Sequence, residues 1–287
     1  MLVRGSERSP QPFAQPVELR VVSPPELPDA RNDFDEYRGP DCADGDKVVQ
    51  HALNLWRQHL GEVPECVWER TELRTLILAD NGLTVLPPEI GQLRRLTTLD
   101  LGHNRLTSVP DELGDLSELS GCLYLHDNEL SRVPDSLGNL TRLRYLNVGE
   151  NALTALPEAM GRMTGLIELR AQHNQLAALP DSIGRLRHLR ELWLRGNVIE
   201  SLPPSAADLH ELRMLDLREN ALTELSETLA NLPRLRQLDV RSNRIDQLPD
   251  WVAQMPSLEK LDLRWNPYQP SPPLLNELES RGCVVLT

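Results

Sequence analysis

Large aromatic rings are scarce in this chain: two Phe, four Tyr and five Trp among 287 residues. A compact globular core of that size ordinarily draws on more of them, so the interior must be built from something else. An excess of positive charge is missing too. Asp and Glu outnumber Lys and Arg by 43 to 30, for a net charge of −13, which argues against the basic stripe of a nucleic-acid binder. No run of 18 apolar residues occurs, so no transmembrane helix is expected. The opening MLVRGSERSPQPF has no apolar h-region, so no Sec signal peptide is expected. Cys42, Cys66, Cys122 and Cys283 stand singly, without a CxxC pair. That spacing favours a reducing, cytoplasmic setting, in which the sequon Asn139-Leu140-Thr141 is a chance match.

Chemical motifs are missing as well. There is no GxxxxGK[ST], HExxH, GxSxG or kinase signature, and no GxGxxG after a strand. The seven histidines, at 51, 59, 103, 126, 173, 188 and 210, form no ligand set by spacing. DCADGD at 41–46 begins like a calcium loop but lacks acidic side chains at its third and fifth places and the distant Glu. No enzyme activity, cofactor or metal site is expected.

What is present is a period. From Leu73 onward, rows of 23 residues read LxxLxLxxNxLxxLPxxIGxLxx. Asn81, Asn104, Asn128, Asn151, Asn174, Asn197, Asn220, Asn243 and Asn266 recur at spacings of 23, broken once by a 24 where one residue is added near Ser120-Gly121. A degenerate first row, Gln50 to Glu72, keeps Leu53, Leu55, Leu60, Val63 and Pro64 in register but has Gln58 at the Asn place. Ten rows result, the last merging into the C-terminal segment.

Each part of the row has a mechanical task. The central LxL, such as Leu76-Ile77-Leu78, alternates like a short strand, and stacked rows would join these into a parallel sheet. The Leu at the first, fourth, sixth and eleventh places would fill the core, each worth about 1.5–3 kcal/mol when fully buried. The Asn ladder would satisfy turn amides that the stack hides from water. Leu-Pro opens the other side with a short helical segment, and the Gly after it allows close packing or a turn. Row eight departs from this with Leu225-Ser226, and row seven with Ala206 at the Ile/Leu place; both weaken that side locally.

These rows resemble the leucine-rich-repeat family, specifically its 23-residue LPxxIGxL class, found in Scribble-type, plant Ras-group and bacterial intracellular repeat proteins. The resemblance runs from about Gln50 to the C-terminus. It implies an α/β solenoid: a curved right-handed horseshoe with a parallel β-sheet on the concave face and short helical or 3-10 segments on the convex face. It also implies a role in protein binding and a small-GTPase-linked partner by analogy.

Four regions are expected: a Pro-rich, acidic, extended or disordered segment at 1–47, a degenerate capping repeat at 48–72, repeats at 73–266 and a C-terminal cap at 267–287. The first segment carries Pro10, Pro12, Pro16, Pro24, Pro25, Pro28 and Pro40. Within it Val17 to Val22 alternates like one strand against the first row. Trp56, Trp68 and Cys66 read as capping bulk. At the other end, Pro273 to Arg281 reads as a helix with Leu274, Leu275 and Leu278 inward, Gly282 ends it, and Cys283 to Leu286 reads as a last strand with Cys283 buried. About 20 residues after Asn266 leave no room for a ligase domain of the kind some bacterial relatives carry.

The fold selects the candidate surface. Outward residues on the concave side are those of the third, fifth and seventh places. The fifth reads Asn54, Ile77, Asp100, Tyr124, Asn147, Arg170, Trp193, Asp216, Asp239, Asp262; the seventh reads Trp56, Ala79, Gly102, His126, Gly149, Gln172, Arg195, Arg218, Arg241, Arg264. Tyr145 stands at the third place. Two zones result. Tyr124, His126, Tyr145, Arg170, Gln172, His173, Trp193 and Arg195 form a central zone of the side chains that anchor interfaces. Arg195, Arg218, Arg241 and Arg264 flank Asp216, Asp239 and Asp262. That ladder reads as internal neutralisation, or alternatively as a polar docking strip in which Arg218 and Arg241 also contact the partner. The expectation is a monomeric, non-enzymatic interaction module or scaffold in signal transduction that binds a protein, not nucleic acid or a membrane. The alternative is a bacterial effector delivered into a host cell, with the tail as export signal.

Overall fold

A computed structural model describes residues 51–269 and 271–287. The tail readings, including the Val17 to Val22 strand and the 41–46 loop, lie outside the described residues. Eleven three-residue strands form one parallel sheet in strict chain order: β1 Ala52–Asn54, β2 Thr75–Ile77, β3 Thr98–Asp100, β4 Cys122–Tyr124, β5 Tyr145–Asn147, β6 Glu168–Arg170, β7 Glu191–Trp193, β8 Met214–Asp216, β9 Gln237–Asp239, β10 Lys260–Asp262 and β11 Val284–Leu286. Each row supplies one strand, one turn and one convex segment, so neighbours pair only with neighbours. The result is the open horseshoe solenoid expected from the repeat.

The core is a column of leucines. Leu76, Leu99, Leu123, Leu146, Leu169, Leu192, Leu215, Leu238 and Leu261 stack in register and are buried throughout. Gly121 absorbs the added residue of row four. Its N–H donates to Thr97 O at 2.8 Å, and register is restored at Leu99 opposite Leu123.

On the convex side each of the first nine rows makes a 3-10 segment, for example Asp135–Asn139, Glu158–Arg162 and Asp181–Arg185. The proline of Leu-Pro occupies the cap rather than the first turn: Pro157 is extended, with φ −71° and ψ 148°. In row eight Ser226 takes that cap, and its hydroxyl accepts the Thr228 N–H. The Gly of "IG" serves close approach, not a turn. A Cβ on Gly138 would lie 2.2 Å from the Ala159 carbonyl oxygen of the next row. From row seven onward Ala207, Ala230 and Ala253 take that place, and the later convex segments are less closely apposed.

The ends differ in detail from expectation. Trp68 is buried, whereas Trp56 is 51% exposed and carries the Arg57 guanidinium 4.7 Å from its ring centre; it is not capping bulk. Cys66 is disulfide-bonded, which the scattered cysteine spacing did not reveal, while Cys122 and Cys283 are free. At the C-terminus the helix α1 spans Pro272–Ser280 and buries Leu274 and Leu278, with Leu275 only half-buried. Gly282 follows at φ 83°, Cys283 is buried, and β11 pairs with β10. No helix among the described residues is long and apolar enough to cross a membrane.

Candidate interaction surface

The turn after each strand is held by the Asn column. Asn151 Nδ2 donates to Leu125 O, Val148 O and Gly149 O at 3.0–3.1 Å, and its Oδ1 accepts the Leu130 N–H at 3.0 Å. Asn174, Asn197, Asn220 and Asn243 repeat this set one row apart. Every Asn thus closes its own turn and fastens the row before it. Asn81, Asn104, Asn128 and Asn266 do the same, with Asn81 Oδ1 accepting from Gln58 N in the degenerate row.

A second regularity, not read from the sequence, governs the fifth place. Where it is Asp or Asn, the side chain accepts the N–H two residues on: Asp100 from Gly102 at 2.9 Å, Asn147 from Gly149 at 3.0 Å and Asp216 from Arg218 at 3.0 Å. The same holds for Asn54, Asp239 and Asp262. This local turn bond explains why six of the ten rows carry Asp or Asn there. Ile77, Tyr124, Arg170 and Trp193 occupy the same place and cannot make it, and the last three put a large polar or aromatic group there. Those rows give up a local bond for a large outward side chain.

These side chains form one continuous strip. Tyr124 lies 5.9 Å from His126 and 5.1 Å from Tyr145, centre to centre. Arg170 fills the space between two rings, its guanidinium 5.7 Å from Tyr145 and 5.1 Å from Trp193, while its Nε donates to Glu168 Oε1 at 2.6 Å. Trp193 Nε1 donates to Glu191 Oε2 at 3.3 Å. The rings are half-buried against one another rather than standing free in solvent. Burial pushes the Tyr145 phenol up to about 12 and the Tyr124 phenol higher still, so both stay neutral donors. Burial also raises the Glu168 and Asp100 carboxyls, against the lowering pull of Arg170 on the first and the Gly102 N–H on the second.

Beside the strip, His126 lies across Gly102 and Gln172 across Gly149. A Cβ at Gly102 would come within 2.4 Å of the His126 ring, and one at Gly149 within 2.6 Å of the Gln172 amide. His126 Nδ1 and Gln172 Oε1 are buried without a hydrogen-bond partner. His173 sits 3.7 Å from Glu150. Arg195 pairs with Glu219 at 2.8 Å rather than with Asp216, so it stands apart from the charge ladder.

The ladder itself is a chain of ion pairs. Arg218 forks onto Asp216 at 2.6–2.9 Å and reaches Asp239 at 3.6 Å. Arg241 joins Asp239 at 2.7 Å and Asp262 at 3.4 Å, and Arg264 joins Asp262 at 2.8 Å. Asp216 and Asp262 are buried beneath these guanidinium groups. Burial would raise the Asp262 carboxyl, but Arg264 and Arg241 outweigh it and hold it below the usual 3.8. Three acids and three bases close on each other. Exposed Trp265 continues the ladder, 5.5 Å from the Arg264 guanidinium.

An open stack of strand, Asn-closed turn and 3-10 segment, displaying one column of outward side chains per strand place, defines a solenoid repeat protein. The leucine-rich repeat region model matches residues 53–176 and 177–280, and the chain belongs to the leucine-rich-repeat family. No curated protein sequence matches it. Among solved structures it is similar to the ectodomain of the plant membrane receptor kinase GASSHO1/SCHENGEN3 from Arabidopsis thaliana, in complex with CASPARIAN STRIP INTEGRITY FACTOR 2. The identity is 31% and the TM-score 0.65, over 73% of this chain and 26% of that one. The PEPR1–AtPEP1 structure matches at 29% identity and TM-score 0.66, over 77% and 32%. An internalin from Listeria monocytogenes shares the fold at 19% identity and TM-score 0.64, over 77% and 69%. The chain therefore spans about a quarter to a third of the two plant structures.

Proposed function

We propose that this protein is a non-enzymatic interaction module that holds a protein or peptide partner on its concave face, along the strip from Tyr124 to Trp193. The observation that carries this reading is the loss of the fifth-place turn bond at Tyr124, Arg170 and Trp193, for which the fold itself offers no return. Strands ~4.8 Å apart make that strip about 15 Å long, the size of the central anchor patch of an ordinary interface. The two plant structures, one in complex with CASPARIAN STRIP INTEGRITY FACTOR 2 and the other of PEPR1 with AtPEP1, support a bound partner of this kind. Arg195, Gln172 and His173 border the strip and supply polar contacts. In the ladder Arg218 and Arg241 are spent on Asp216, Asp239 and Asp262, which supports internal neutralisation over a docking strip.

The test is capture from native lysate by the wild-type chain and by a Tyr145→Ala/Trp193→Ala variant, read by mass spectrometry beside a thermal melt of each. Proteins retained by the wild type and lost with the variant, at a melting temperature only a few degrees lower, support the reading. An unchanged set of captured proteins moves the binding surface elsewhere.

A further inference from the structure

Two histidines on the concave face meet nitrogen to nitrogen. His103, at the eighth place of row three, and His126, at the seventh place of row four, bring their Nε2 atoms to 3.2 Å. Two nitrogens bound to one tetrahedral zinc ion at ~2.0–2.1 Å stand about 3.3 Å apart, and their ring centres about 5 Å apart. The observed ring centres are 4.7 Å apart, with the planes at 78°. Behind His103, Asp127 Oδ2 lies 2.6 Å from Nδ1. That contact places the proton on Nδ1 and leaves the Nε2 lone pair facing His126. A carboxylate on the far nitrogen of an imidazole is the arrangement that orients and strengthens a metal-binding histidine.

The local fold builds this meeting. His103 has a left-handed backbone, φ 54°, a conformation that His tolerates better than most residues. Gly102 offers no side chain, so the His126 ring lies across row three and reaches His103. Asp80, Asp100 and Asp127 gather about the His103 ring, with Arg57 paired to Asp80 and the Arg170 charge acting on His126 from the other side.

We propose that His103 and His126 form a binding site for a divalent transition-metal ion of the zinc class, with Asp127 as the positioning carboxylate. Among the described residues no third His, Cys, Asp or Glu completes the set. The ion's remaining positions are open to water or to a side chain brought by a bound molecule. Two imidazoles select zinc, copper or nickel over calcium or magnesium, which demand oxygen. The site stands whether or not the neighbouring strip binds a partner, since the ion is held by this chain alone.

The experiment is calorimetric titration of the full-length protein with Zn2+ alone, in a non-chelating buffer near pH 7.5, with Mg2+ as comparison. One equivalent of Zn2+ and no Mg2+ is expected to bind. His103→Gln, at an exposed position, removes that equivalent without altering the circular dichroism spectrum. Asp127→Asn weakens binding by about 10- to 100-fold. Cys122→Ser leaves binding unchanged. Gly102→Ala, which pushes His126 aside, weakens it while both ligands remain in the sequence. Absence of Zn2+ binding overturns the proposal, as does binding that survives His103→Gln undiminished.

Discussion

At the scale of single residues, side chains that look equally polar in the sequence carry very different loads. Asn151 makes three donor contacts and one acceptor contact across two rows. Asn151→Ala strands those backbone groups within the stack, at an expected cost of about 2–4 kcal/mol. Arg195→Ala breaks only the exposed pair with Glu219 and should cost less than about 1 kcal/mol. Denaturant unfolding of the two variants measures the difference, and equal small effects would refute the ladder's role. Arg218 is a poorer neutral comparison, because its removal uncovers the buried Asp216 carboxylate. His126 carries a pH signature. Burial first, then His103 and Arg170, depress its pKa to about 4 from 6.5, against a raising pull from Asp127. The unfolded chain therefore binds this proton before the folded one does. The stability tied to the neutral ring is present above pH 6.5 and is lost as pH falls toward 4. The half-buried position reduces the effect to about 1–2 kcal/mol. It should appear as a stability gap between wild type and His126→Gln that narrows over that window in urea titrations.

At the scale of elements, the convex side is tuned by what stands after the Ile or Leu of each 3-10 segment. Gly114, Gly138, Gly161 and Gly184 face a carbonyl of the next row so closely that a methyl group has no room. Gly138→Ala must push the row carrying Ala159 away, and an expected loss of about 1–3 kcal/mol from overpacking exceeds the gain from a stiffer unfolded chain. A thermal melt lowered by several degrees checks this. Ala206, at the Ile/Leu place of row seven, is buried. The convex segments loosen from the contact of row seven with row eight onward, where Ala207, Ala230 and Ala253 replace Gly. The strands carry a comparable compromise. Asp or Asn at the fifth place strengthens the turn, and three of the four rows without it, those of Tyr124, Arg170 and Trp193, contribute to the strip, the fourth being that of Ile77.

At the scale of the whole repeat array, stability is a sum over neighbours, because each row contacts only the rows beside it. That explains how a chain with two Phe builds a continuous interior, and why both ends need covering. α1 lays Leu274 and Leu278 over the last row, and β11 pairs with β10. The same additivity frees the concave surface to vary. Core Leu and turn Asn repeat in every row, while the outward columns change from aromatic in the middle to alternating charge toward the C-terminus. The aromatic strip and the histidine pair are two products of that freedom.

The repeat period, the strand positions, the buried leucines, the Asn column and the C-terminal helix were all legible in the sequence. Each depends on local spacing repeated at a fixed interval, and a period of 23 translates directly into stacking. Which outward side chains would converge was legible only in part. The columns named Tyr124, Tyr145, Arg170 and Trp193, but alternation along a strand says nothing about rotamers. Only the stacked rows decided that Arg170 fills the gap between two rings, that Arg195 turns to Glu219, and that Asp216 sinks beneath Arg218. The meeting of His103 and His126 was hidden for the same reason. They lie 23 residues apart at different places in their rows, and a left-handed turn together with a bare glycine, both effects of packing in three dimensions, brings their nitrogens together.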